Sequence, residues 1–150
     1  RRTLLVDADL RRPRLHQVFG LVGASARAGP AGLGGVLAGL HRAADVIQPV
    51  AELPSLELLP SGGAPPNPQD LLQRTAFALL LQELLARFDH VVVDTPAARH
   101  GADSRLLAAK CGAALVVGRQ HGSRMRGLQD LLAGLTRSGT RCAGVLMNRH

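Results

Sequence analysis

Four short aliphatic runs constrain this chain more than anything else in it: TLLVD (3–7), HVVVD (90–94), AALVV (113–117) and AGVLMN (143–148). They are continuous rather than alternating, the pattern of strands buried on both faces in a parallel sheet. LELLP (56–60) is a fifth, weaker candidate strand. Helical patterns fill the gaps. In the segment 67–88, Asn67 stands at a capping position, Pro68 at the first helical position and Asp70 at the positive end. Leu71, Leu72, Phe77, Leu80, Leu81, Leu84, Leu85 and Phe88 give that segment a broad apolar face. A second helix is expected from Ala102 or Asp103 to about Lys110. A third is expected from near Ser123 to before Gly139, with Met125, Leu128, Leu131, Leu132 and Leu135 on one stripe. Strands alternating with helices predict an α/β fold, a doubly wound, mostly parallel sheet with helices on both faces.

A chain of 150 residues that is 46% hydrophobic has the size and composition of one domain with a real core. Aromatic residues make up only 2%, with no tyrosine or tryptophan, so leucine, valine and alanine must build that core. The net charge of +7 is carried almost wholly by arginine, Lys110 being the only lysine. Such a balance suits an anionic partner such as a nucleotide, a nucleic acid or an acidic membrane surface, but the arginines are scattered and form no basic block. Cys111 and Cys142 match no metal spacing and are expected as buried small hydrophobes in a reducing compartment. The longest apolar stretch, FALLLQELLA, is broken by Gln82 and Glu83, and no signal peptide is visible. Residue 1 already stands at the edge of a strand, without an initiator methionine, so a piece of a longer protein is expected.

In open α/β sheets, ligands bind at the carboxyl ends of the strands. Asp7 and Asp94 each end a strand, and Asp9 follows two residues after Asp7. If the strands are parallel neighbours, three carboxylates meet at one edge. They suit a hard cation held through water, typically Mg²⁺ bridging phosphates. One of them could instead accept a proton from an attacking hydroxyl. An aspartate at a strand end also caps turns, but the pair LLVDAD and VVVDTP together favours a nucleotide site. A phosphate cradle is harder to find. Gly-x-x-x-x-Gly-Lys-Ser/Thr is absent, and no glycine loop precedes Lys110. The glycine-rich segment 29–39 has Leu37 where a dinucleotide fingerprint needs its last glycine. It reads as a surface loop leading into a helical turn at 33–40.

With these motifs in order, the chain resembles the bacterial tyrosine kinases of exopolysaccharide and capsule synthesis, within the MinD- and ParA-like P-loop ATPases with a deviant Walker A motif. LLVDADLRRPRLHQVFGL looks like the family's Walker A′ segment. GLGGVLAGL and LELLPSGGAPPNPQDLL resemble two further elements, the latter with Asp70 in place of Glu. FDHVVVDTP looks like Walker B, and AGVLMNRH like the strand ending in Asn. The resemblance implies ATP and Mg²⁺ as cofactors, with Asp7, Asp9 and Asp94 as catalytic and Mg²⁺-binding carboxylates. Asn148 falls where related ATPases contact adenine, or else is a strand-end turn residue. Arg11 and Arg12 would contact phosphate, compensate the acidic cluster or remain solvated.

The same resemblance implies a membrane chain-length determinant or polysaccharide co-polymerase partner. It further implies a homo-oligomer when intact, no nucleic acid, and a place in the cytoplasm at the inner face of the plasma membrane. The pattern departs from the family's in three ways. Walker A would end just before Arg1, no tyrosine cluster is present, and Ala97 replaces a second proline after DTP. The expectation is therefore a single partial P-loop kinase domain over residues 1–150, inactive alone and with sheet edges and an apolar face exposed. The alternatives are a MinD- or ParA-like positioning ATPase and a non-catalytic docking partner.

Overall fold

The computed structural model describes residues 1–21, 31–63, 67–120 and 125–149. Strand β1 (Thr3–Asp7) lies between β3 (Leu56–Leu59) and β4 (His90–Asp94), parallel to both. Strand β2 (Gln48–Pro49) adds antiparallel to the outer side of β3, so the sheet order is β2-β3-β1-β4. β1 is central because its side chains can be buried: Leu4 and Val6 are fully enclosed. A buried leucine of this kind contributes roughly 1.5–3 kcal/mol relative to an exposed one.

The first compact unit spans residues 1–96. Around its sheet lie α1 (Leu15–Val18), α2 (Leu33–Leu37), α3 (Ala43–Val46), α4 (Pro68–Gln73) and α5 (Thr75–Arg87). The expected single helix over 67–88 is thus two. Arg74 is extended, with ψ 156°, and forms the N-cap of α5. A straight helix would rotate Phe77 about 140° away from Leu72. The break re-phases the chain, so that Leu71 and Leu72 before it and Phe77, Leu80, Leu81 and Leu84 after it are all buried. Leu85, expected on the same apolar face, is 60% exposed. Asn67 occupies the N-cap of α4 without a side-chain capping bond, and Pro68 takes the first helical position.

The glycine-rich segment also differs from expectation. The helical turn expected at 33–40 is present as α2, but Leu33, Gly34, Gly35 and Leu37 are buried, so it is internal and not at the surface. The Leu33 amide donates to the Pro60 carbonyl at 2.8 Å and the Gly34 amide to that of Ser61 at 3.0 Å. A Cβ on Gly32 would fall 2.6 Å from the Pro60 carbonyl oxygen and closer still to the Gly62 amide nitrogen. Glycine is needed here for the close approach of two backbones.

The second unit spans residues 97–150. It holds a short 3₁₀ turn (Ala98–His100), α6 (Asp103–Cys111), β5 (Ala113–Arg119), α7 (Met125–Arg137) and β6 (Arg141–Asn148). β5 and β6 pair in parallel, with one irregularity between Ala114 and Leu115. Val116, Ala108 and Leu135 form its core, and Leu128, Leu131 and Leu132 pack against it. Met125, expected on that stripe, is exposed, and the expected helix start at Ser123 lies outside the described residues. The opposite face of the pair leaves Leu115, Val117 and Leu146 exposed. Both cysteines are exposed free thiols, against the expectation of burial. Cys111 ends α6 before the left-handed Gly112, and Cys142 sits near the exposed start of β6. Among the described residues, no helix is long and apolar enough to cross a membrane.

Candidate functional site

Parallel pairing of β1 and β4 sets the site. It makes Asp7 and Asp94 register partners at the carboxyl ends of adjacent strands. The Ala8 amide extends the ladder by donating to the Asp94 carbonyl at 3.0 Å. Beyond Asp7 the chain turns, and the two aspartates organise that turn. Oδ1 of Asp7 accepts from the Asp9 amide at 3.2 Å, and Oδ2 accepts from the Leu15 amide at 3.4 Å. Oδ1 of Asp9 accepts from the amides of Arg11 at 3.2 Å and Arg12 at 2.9 Å. Short carboxylates that hydrogen-bond amides two or three residues ahead are a standard way of fixing such a turn.

The carboxylates differ in environment. Asp7 is fully buried. Burial raises its pKa to about 6 against the pull of the two amide donors, and the charges of Asp94 and Asp9 add to the rise. Asp94 keeps a solvent-exposed surface, yet its carboxyl has enough protein around it for burial to push its pKa up. The charge of Asp9 pushes the same way, and the Thr95 amide opposes. The three groups thus feel one another electrostatically at one sheet edge. Arg11 and Arg12 are exposed beside them, with their backbone amides bound to Asp9.

Asn148 belongs to the second unit. It ends β6 as the register partner of Arg119, and its carbonyl accepts from the Gln120 amide at 2.7 Å. The role of Leu15 in latching the turn was invisible in the sequence, because a backbone amide eight residues away carries no residue-type signal.

The chemistry suits a cation here: like-charged carboxyls raise one another's pKa, and a nearby positive charge would relieve them. Among the described residues no three His, Cys, Asp or Glu side chains form a ready coordination shell. Carboxylates of this kind are chemically compatible with a hydrated ion such as Mg²⁺, which keeps several of its waters. A phosphate-gripping glycine loop with its lysine is absent from the sequence.

No family model matches the chain. The tyrosine-protein kinase ptk of Acinetobacter johnsonii is 32% identical over 148 residues, covering 99% of this chain and 19% of that protein. The chain spans about a fifth of the length of this and other curated relatives, such as the tyrosine-protein kinase wzc of Salmonella typhimurium. Among solved structures, the kinase domain of VpsO superposes with a TM-score of 0.89 at 31% identity, covering 99% of this chain and 70% of that one. The cell-division ATPase MinD of Pyrococcus furiosus, at 23% identity and a TM-score of 0.78, shares the fold. A whole-chain match to kinases in sequence and in backbone leads to one assignment: the chain belongs to the bacterial tyrosine-protein kinase family.

Proposed function

We propose that the chain is the carboxylate-bearing part of an ATP-dependent protein-tyrosine autokinase domain. The observation that carries this reading is the pairing of Asp7 with Asp94 at the ends of neighbouring parallel strands, with Asp9 two residues on. Phosphoryl transfer needs little covalent help from a protein; it needs positioning and charge neutralisation. Mg²⁺, when bound, supplies the positive charge that offsets the phosphates. Asp9 and Asp94, the two carboxylates that are not fully enclosed, would hold such an ion through its waters. Asp7 adds negative charge from behind and fixes the turn that presents Asp9. Because Asp7 is enclosed with both oxygens bound by loop amides, we assign to the partly exposed Asp9 the role of orienting a tyrosine hydroxyl or accepting its proton. Asn148 would meet the adenine base and Arg11 a phosphate.

The family resemblance extends the proposal to control of exopolysaccharide or capsule chain length and export. The domain would work at the cytoplasmic face of the membrane, as a homo-oligomer, with a chain-length determinant protein as partner. The 150 residues alone should be silent, because nothing in them replaces the glycine loop and lysine that grip the phosphates. Calorimetric titration of this chain with Mg-ATP should show no binding in the micromolar range; micromolar affinity would overturn the claim of silence. In the gene product that contains the chain, Asp9→Asn and Asp94→Asn should each lower phosphotyrosine formation by about 100-fold or more. Retention of activity in both variants would remove the assignment of the site.

A further inference from the structure

We infer that the second unit carries a phosphoryl-binding fork made by Arg105 of α6 and Arg137 of α7. The alkyl stem of Arg105 crosses α7 at Gly134, its Cδ 3.5 Å from the position a Cβ there would take. A guanidinium nitrogen of Arg105 lies 3.9 Å from that point and one of Arg137 lies 4.0 Å from it. Two positive charges from different helices thus converge over a residue with no side chain, closer together than about one Debye length at physiological salt (~8 Å).

Neither charge is accounted for by the fold. Both arginines are exposed, and among the described residues neither has an ion pair or a side-chain hydrogen bond. Asp130, one turn before Gly134 on the same helix, pairs with neither. A basic residue in a last helical turn often serves the terminal carbonyls. Here those carbonyls already have donors: that of Leu132 takes the Thr136 hydroxyl. That of Gly134 takes the Ser138 amide, that of Leu135 the Thr140 amide and the Ser138 hydroxyl, and that of Thr136 the Gly139 amide. Both guanidinium groups lie within 4.0 Å of the same point, and among the described residues their donors are unspent. Two planar forks carrying two charges match a tetrahedral dianion with several acceptor oxygens, that is, the phosphoryl group of a phosphomonoester. A carboxylate carries half that charge. The occupant is either a phosphorylated side chain or a free phosphate.

The side-chain Nε resonances of the chain, followed by NMR during titration with phenyl phosphate, inorganic phosphate and acetate, test this without ATP or kinase activity. Arg105 and Arg137 signals should shift saturably with the phosphate ligands. Arg105→Gln and Arg137→Gln should each weaken binding about tenfold or more. Gly134→Glu, which sets a carboxylate in the fork, should abolish it with the fold intact by circular dichroism. Tighter binding of phenyl phosphate than of inorganic phosphate identifies a phosphorylated aromatic side chain as the source. Equal binding identifies free phosphate. Absence of a saturable shift, equal binding of acetate, or unchanged affinity in both glutamine variants overturns the proposal.

Discussion

At the scale of single residues, Asp7 is the informative one. Its side chain is enclosed, its two oxygens are taken by loop amides, and its pKa is raised from 3.8 to about 6, first by burial. The folded chain therefore binds the Asp7 proton more tightly than the unfolded chain does. The resulting stabilisation is whole below pH 3.8 and is lost as pH rises to about 6. It amounts to about 2–3 kcal/mol across that window. Urea denaturation at steps between pH 4 and neutrality should show stability falling over this range. Asp7→Asn, which keeps the shape without the charge, should lose most of that slope; an unchanged slope would mean that Asp7 is not the titrating group. The sequence announced the aspartate and the strand it ends. It did not announce the burial, which depends on side chains arriving from elsewhere in the chain.

At the scale of elements, α5 shows how far a periodic pattern reads. Its leucines at 80, 81 and 84 are buried as their spacing implies, while Leu79 and Leu85 each remain 60% exposed. Leu84→Ala should cost about 2–5 kcal/mol, since it removes a fully enclosed side chain. Leu85→Ala should change stability by no more than about 0.5 kcal/mol. Chemical denaturation of the two variants checks the contrast directly. The break at Arg74 escaped sequence reading because every residue around it tolerates a helix. The preference for two helices comes from the positions that Leu72 and Phe77 must both reach. The burial of α2 against Pro60–Gly62 escaped for a similar reason: a run of glycines looks alike in a surface loop and in a close backbone contact.

At the scale of the molecule, the strands among the described residues fall into two sheets, one of four strands and one of two, and the chain into two compact units. In the second unit, Leu115, Val117 and Leu146 lie on one face of the β5–β6 pair and are 62%, 61% and 57% exposed. Isolated pairs of strands and contiguous exposed apolar surfaces of this kind favour association. The chain should therefore bind the dye ANS under native conditions. Threonine at all three positions should reduce that fluorescence without changing the far-ultraviolet circular dichroism; equal fluorescence would place the dye elsewhere.

What the sequence determined by itself is the alternation of strands and helices, the aspartates at the ends of 3–7 and 90–94, and the family to which such motifs in that order belong. These are local properties, written in short runs of side chains and in fixed spacings. The tertiary structure alone decided that Asp7 and Asp94 are register partners and that Asp7 rather than Asp94 is enclosed. It alone docked Gly32 on Pro60–Gly62 and brought Arg105 and Arg137 together over Gly134. Each of these joins residues far apart in the chain, or depends on which neighbours exclude water, and no local propensity encodes either.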